Sequence, residues 1–421
     1  MNRLVSEYRV FASCPLEMRV LLITNTLYAL ALPVIEIFVA AYVMRNSHQA
    51  SKVVLYQLAI YTAIPLAFLL NGYLLRILTS SQLYAIGMVS SGAALLLLMT
   101  SDVRTLRSIM LSGALLGLAT GLSWANRGYL VLSTTNDNNR NYYYGLEACI
   151  ITATSVIVPF AVGWLIEAAR THTSLGNNAE YGYRIVAFVA LMLTVAAAGT
   201  MQMGKFQSPV NENFLFFHFH PLWQRMLSLA MLKGLAQGYI VTIPALLIFR
   251  LVGQEGALGI VEAAGSFLVS ILLYGIGRAC KPRHRIPVFT TGLILMLVGS
   301  IWNAALFNAT GVIIFLGCIL LAKPLLDFAY YPIQFLVTDT ISMIEGRSQY
   351  AYIVTHEFGI FAGRFLGCSL FLLIAFCVSD KAALEYALPV VAVLQLSSIK
   401  IARRLVTDAA RVDATHHPSG A

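Results

Sequence analysis

The sequence predicts an all-α membrane protein of twelve transmembrane helices in two six-helix bundles related by an internal repeat. Three observations predict it. Composition is the first: of 421 residues, 58% are hydrophobic and 11% charged, whereas soluble domains run at about 45–50% apolar and about 25% charged. Segmentation is the second. The apolar residues fall into runs of about 20 to 28, near the length that a helix rising about 1.5 Å per residue needs to cross a bilayer. The third is repetition between the halves of the chain.

Charged residues mark the ends of the spans. Span one, 20–44, lies between Arg19 and Arg45, and span two, 53–75, between Lys52 and Arg76. Span three, 82–100, precedes Arg104, and span four, 108–134, follows Arg107. Span five, 143–168, fills the interval from Arg140 to Arg170, and span six, 184–203, opens at Arg184 and closes before Lys205. Span seven, 225–249, runs from Arg225 to Arg250, span eight, 256–277, stops before Arg278, and span nine, 286–307, begins after Arg285. Span ten, 311–338, and span eleven, 350–378, flank Arg347, while span twelve, 383–402, runs from Lys381 to Arg403.

With an even number of spans both termini share a side, and the bias of Lys and Arg toward cytoplasmic loops identifies it. A cytoplasmic N-terminus puts sixteen basic residues inside and eight outside, with Arg127, Lys233, Lys323 and Arg364 within spans. Residues Met1 to Met18 carry Arg3, Glu7, Arg9 and Glu17 but no short apolar stretch with a cleavage site, so no signal peptide is expected. The expectation is an integral protein of the bacterial cytoplasmic (inner) membrane with both termini cytoplasmic. Its division is an N-terminal bundle at 1–203, a cytoplasmic linker at 204–224, and a C-terminal bundle with a short tail at 225–421.

Several chemistries are excluded on pattern. The net charge of +9 comes from basic residues scattered between apolar runs, not from a stripe suited to nucleic acid. Six cysteines, at 14, 149, 280, 318, 368 and 377, show no paired spacing. His218 and His220 lie in the aromatic run Phe214 to Trp223 without carboxylate or cysteine neighbours, which reads as an interfacial segment, not a metal site. No His-Glu-x-x-His, nucleophile elbow or phosphate-binding loop occurs, so neither an enzyme nor a cofactor is expected.

The repeat shows as four matches in order. Ala31–Phe38 aligns with Thr242–Phe249 at an offset of 211 through Pro33 and Pro244, and Leu69–Gly72 aligns with Leu272–Gly275 at 203. Tyr129–Thr134 aligns with Phe335–Thr340 at 206, and Glu147 falls opposite Glu357 at 210. Duplicated bundles are a common transporter architecture.

Twelve spans, cytoplasmic termini, a central loop and a six-plus-six repeat resemble the major facilitator superfamily over essentially the whole chain. The local motifs depart from that family's pattern. In the loop after span two, Gly72-Tyr-Leu-Leu-Arg76 has arginine where the family has an aspartate, and the second copy, Gly275-Ile-Gly-Arg278, is also acid-free. Pro159-Phe-Ala-Val-Gly163 keeps the proline and last glycine of the antiporter pattern in span five, which implies a lean toward export. Gly253–Gly259 and Glu357–Arg364 look like the YqgE-like bacterial branch. The resemblance implies two bundles rocking about a central cavity lined by spans one, four, seven and ten, with a small-molecule substrate, in a monomer.

Charged groups within spans cost about 2.5–3.5 kcal/mol each on insertion scales, so they face a bundle interior or a wet cavity. Arg127 and Glu147 reach similar depths and are expected to pair, either as a static tie between helices or as a substrate or proton site. Lys323 lies one turn before Asp327, so the two either neutralise each other or serve anion recognition. His356 and Glu357, as adjacent residues, point about 100° apart, while Glu357 and Arg364 look into one groove. Asn25 and Glu36, eleven apart, share a face of span one; Lys233 and Gln237 share one of span seven ahead of Pro244, where a kink is expected. Glu262 lies in the outer third of span eight. Tyr28, Trp124, Tyr330 and Tyr331 either stack on an amphipathic solute or pack. Gly113, Gly117 and Gly121, like Gly359, Gly363 and Gly367, have the four-residue spacing that lets helices approach closely.

Burial disfavours a charged carboxylate and a nearby cation favours it, so a moving cation can load and release a proton. Glu147, Asp327, Glu357 and His356 are the candidate carriers, with H+ as the coupling ion. Basic residues among the carboxylates favour an anionic, zwitterionic or amphipathic solute. A transport-inactive sensor or scaffold of the same fold is the alternative.

Overall fold

The computed structural model describes residues 9, 11–47, 49–100, 105–135, 140–171, 179–208, 214–251, 260, 263–269, 271 and 284–416. Among them, eleven helices are long and apolar enough to cross a membrane. Most of the expected span eight lies outside the described residues, as do Gly253–Gly259, Glu262, Gly275 and Arg278.

Helix α1 is Leu16–Ser47, α2 Ala50–Leu74, α3 Ser80–Thr100, α4 Leu106–Thr134, α5 Arg140–Thr171 and α6 Ala179–Met201. Within α1, a π-helical turn at Val34–Phe38 follows Pro33 directly. Proline brings no N–H to the ladder and its ring crowds the preceding turn, so the backbone widens there. The wider turn begins between Asn25, which is buried, and Glu36, which is exposed.

The remaining helices are α7, Pro221–Ile240; α8, Ile243–Leu251; α9, Arg285–Leu306; α10, Ala309–Glu345; α11, Gln349–Cys377; α12, Asp380–Gln395; and α13, Ser397–His416. Their ends follow from capping. His220 precedes Pro221 at the start of α7, and its Nδ1 accepts from the Leu222 N–H at 3.2 Å. Near Pro244 the helical ladder is interrupted over two residues, because α7 ends at Ile240, the residue whose carbonyl the proline ring would strike, while the backbone at Val241 stays right-handed. Asn308, Ser348 and Ser379 cap α10, α11 and α12 through side-chain oxygens. Gly346, in the left-handed region at φ 60°, closes α10. The expected span twelve falls within Asp380–Ala409, where α12 gives way at Leu396 to α13, which runs on to His416.

The chain divides into two compact units. The first comprises residues 1–48, 62–211 and 254–264, and the second 49–61, 212–253 and 265–421. In the first unit α3 lies against α4 and α6, and α1 against α5 and α6. Met18, Leu21, Tyr84, Met88, Leu130 and Tyr143 form part of its buried core. In the second unit α9 pairs with α10 and α7 with α11. That last pair is close because α7 presents Gly234 to the Ile360 carbonyl and α11 presents Gly363 to the Met231 carbonyl. A side chain at either position would occupy the neighbouring backbone.

The expected interfacial aromatic segment packs on this unit. Phe214 meets Tyr350 edge-on, Phe216 meets Phe219 and Tyr352, and Trp223 also meets Tyr352. The Trp223 indole donates to Thr355 Oγ1 at 3.1 Å. Phe214–His220 thereby belong with the second unit.

Candidate functional site

Each unit gathers polar groups from several helices, and the first does so around one carboxylate. Glu147 of α5 is 5% exposed. Its Oε1 receives the Arg127 guanidinium of α4 at 2.8 Å, the Asn25 amide of α1 at 2.8 Å and the Tyr143 hydroxyl, one turn earlier on α5, at 3.3 Å. The Asn25 amide also reaches the Tyr143 hydroxyl at 2.9 Å, and Tyr84 of α3 donates to Asn25 Oδ1 at 2.8 Å. Groups from three helices thus converge on a single oxygen, and a fourth helix, α3, holds Asn25 in place.

A cavity of about 60 Å³ opens beside this group, lined in part by Tyr28, Tyr84, Trp124, Arg127 and Glu147. The Arg127 guanidinium lies over the Trp124 ring at 5.3 Å, and Tyr28 donates to Ser91 Oγ at 3.3 Å. The arrangement surrounds the Glu147 carboxylate with donors, the Arg127 guanidinium among them. An anionic group entering the cavity would compete with Glu147 for the same guanidinium. Glu36 is exposed in the π-helical turn and is not among the residues lining the cavity.

The second unit holds two pairs. Lys233 Nζ of α7 reaches Asp327 Oδ1 of α10 at 2.8 Å and sits over the Tyr330 and Tyr331 rings at 4.0 and 3.8 Å. Arg364 of α11 binds Glu357 Oε1 at 2.7 Å through one terminal nitrogen and Gln237 Oε1 at 3.0 Å through Nε. Tyr61, which clusters with this unit, lies under the Arg364 guanidinium at 4.7 Å and donates to the Gln237 backbone carbonyl at 3.1 Å. His356 is buried, with Nε2 at 2.7 Å from the Tyr330 hydroxyl.

The expected Lys323–Asp327 pair is replaced. Asp327 pairs across helices with Lys233, while Lys323 is exposed and has no ion pair among the described residues. The physical reason is burial: the Lys233 side chain is 12% exposed and has the greater need of a counter-charge. His356 and Glu357 diverge onto different partners, as adjacent helical residues must. The spacing of Glu357 and Arg364 brings them together.

Other expected residues take supporting places. Gly72 is buried near the end of α2, and Arg76, just beyond it, lies over the Tyr73 ring at 5.6 Å. Pro159 is inside α5 and Gly163 is buried on it. Gly359, Gly363 and Gly367 all face α7. Sequence reasoning missed Tyr84, Tyr143 and Tyr61. Tyr143 was findable, because it stands one turn before Glu147. Among the described residues no group of three or more His, Cys, Asp or Glu could hold a metal ion.

No family model matches the sequence. Over 387 residues, 89% of this chain and 86% of the relative, it is 24% identical to the uncharacterized protein YqgE of Bacillus subtilis (strain 168). Over 205 residues it is 24% identical to an uncharacterized protein from the sodM 3' region of Geobacillus stearothermophilus, covering 48% of this chain and 91% of that one. A crystal structure of a mutant of the peptide transporter POT matches with a TM-score of 0.65 at 12% identity, covering 94% of this chain and 98% of that chain. The apolar helices and this likeness make the chain an integral membrane protein with a transporter-like fold.

Proposed function

We propose that this chain is a secondary transporter of the major facilitator superfamily, moving a small anionic, zwitterionic or amphipathic solute by alternating access. The observation that carries it is that partly buried cations in both units are paired with carboxylates from other positions in the bundle: Arg127 with Glu147, Lys233 with Asp327, and Arg364 with Glu357. Such pairs can be opened by a solute that brings its own charge, and aromatic rings beside Arg127 and Lys233 offer faces for its apolar part. The solved relative is named a peptide transporter, and a short peptide is one zwitterion that meets these requirements.

Proton coupling enters through Glu147, Asp327 and Glu357, each beside a cation that can withdraw. The lean toward export rests on Pro159 and Gly163 alone. The proposed setting is the bacterial inner membrane, with both termini cytoplasmic and a monomeric, non-enzymatic protein. A second reading, a sensor that no longer transports, is favoured by the acid-free loop from Gly72 to Arg76.

The test is thermal unfolding of the purified protein in detergent against panels of organic acids, amino acids, short peptides, nucleosides, sugars and cationic drugs. A specific ligand raises the apparent Tm with concentration. The proposal expects an anionic or zwitterionic hit that is lost in Arg127→Ala, Lys233→Ala or Arg364→Ala and that crosses proteoliposome membranes. A hit that binds but shows no flux in any gradient selects the sensor. A hit confined to neutral sugars, unaffected by these variants, overturns the charged-site reading.

A further inference from the structure

At one end of the second unit, α13 lies against α7. Its buried face carries Ala402, Leu405 and Ala409, while Lys400, Arg403 and Arg404 are exposed. Arg225, one turn into α7, forms an ion pair with Asp408 that clamps α13 in place. Beside the clamp opens a crevice of about 430 Å³ lined by Arg225, Arg403, Arg404, Thr407 and Asp408. Its three guanidiniums face one carboxylate, and among the described residues neither Arg403 nor Arg404 has an ion-pair partner.

The position of this crevice decides what fits it. It lies at the start of the apolar span Pro221–Ile248 and where α13 continues past the end of α12. Guanidiniums at the end of an apolar span stand at the membrane–water boundary, where they meet phosphodiester groups at high local concentration. Arginine forks bind phosphate oxygens in pairs.

We propose that the crevice between the start of α7 and α13 binds the headgroup of an anionic membrane phospholipid. Arg403 and Arg404 hold the phosphodiester, and Arg225 stays with Asp408 as the structural clamp, while the Thr407 hydroxyl, committed to the Arg403 carbonyl at 3.0 Å, fixes the last turns of the crevice wall. The inference stands apart from the transport proposal, since it concerns a different surface and is read by binding alone.

The test uses the full chain in detergent, titrated with short-chain phosphatidylglycerol, phosphatidylcholine or inorganic phosphate, with binding followed by native mass spectrometry and thermal unfolding. Phosphatidylglycerol is expected to bind with saturation and raise the apparent Tm, while phosphatidylcholine and phosphate are not. Each basic residue at an anionic surface contributes roughly fivefold, so Arg403→Gln/Arg404→Gln is expected to weaken binding roughly 30-fold. Both side chains are exposed, so the variant is expected to keep the wild-type Tm without lipid. A matched neutralisation elsewhere, Arg184→Gln/Lys381→Gln, is expected to leave binding unchanged. Equal loss in that control, wild-type binding by the double variant, or an equal response to inorganic phosphate would each overturn the proposal.

Discussion

Lys233 and Asp327 stand 2.8 Å apart across α7 and α10, even though Lys323 is only one turn from Asp327 along its own helix. The pair joins two helices and keeps the ammonium on the faces of Tyr330 and Tyr331. Asp327→Asn therefore strands a largely buried ammonium. Losing one partner of a buried pair costs about 3–5 kcal/mol, and the 34% exposure of the Asp327 side chain places the loss at or below the lower end of that range. Chemical unfolding is expected to show this for Asp327→Asn. The double variant Lys233→Met/Asp327→Leu is expected to recover most of it, since an apolar pair needs no counter-charge. A double-mutant cycle with no coupling energy would mean that the pair does not form in the membrane.

The contact between α7 and α11 gives a sharper mechanical expectation. A methyl at Gly363 would press on the Met231 carbonyl, and one at Gly234 on the Ile360 carbonyl. Overpacking of this kind costs about 1–3 kcal/mol, so Gly363→Ala is expected to lower the apparent Tm and Gly363→Leu to prevent folding. Gly317 has open space around the corresponding position. Gly317→Ala is expected to be neutral or stabilising by up to about 1 kcal/mol, because alanine favours a helix. Equal effects at both glycines would show that α7 and α11 are not in close contact.

Legibility in the sequence followed the range of the interactions. Helix positions came from apolar runs, and the Arg127–Glu147 pair from depth arithmetic, because both depend on local rise. Glu357 and Arg364 were legible as two turns of one helix. The Lys233–Asp327 pair was not, since Lys323 satisfied the only local rule available and the competing partner comes from another helix. Nor was the π-helical turn after Pro33, in which Glu36 is exposed. Tyr84 was invisible because a tyrosine in an apolar span carries no mark of its hydrogen bond to Asn25. Gly234 and Gly238 share the four-residue spacing of the α11 glycines and were there to be read.

Glu147 accepts from three groups through one oxygen, so its replacement separates charge from hydrogen bonding. Glu147→Gln keeps an acceptor of nearly the same shape and leaves the Arg127 charge without a carboxylate. Glu147→Ala removes both. The expected order of apparent Tm is wild type, then Gln, then Ala. Asn25→Ala, which also frees the Tyr84 hydroxyl, is expected to cost about 1–3 kcal/mol for an unsatisfied buried group. If Gln and Ala behaved alike, charge pairing with Arg127 would be the whole contribution of this residue.

Glu357 has a simpler environment, with the Arg364 guanidinium as its ion-pair partner and Gln237 holding that guanidinium from α7. On the proposed mechanism, transport opens the pair. Arg364 then goes to the solute and Glu357 takes up a proton, because an unpaired carboxylate in a dry bundle is stable only when neutral. Glu357→Gln imitates that protonated form at every pH. In proteoliposomes the wild type is expected to accumulate solute against its gradient when a pH difference is imposed. The variant should still exchange solute across the membrane but no longer respond to the pH difference. Gln237→Ala, which loosens Arg364 without touching the carboxylate, is expected to weaken solute affinity while leaving the response to pH in place. Retention of pH-driven accumulation by Glu357→Gln would remove Glu357 from the proton path and leave Glu147 and Asp327 as the carboxylates to examine.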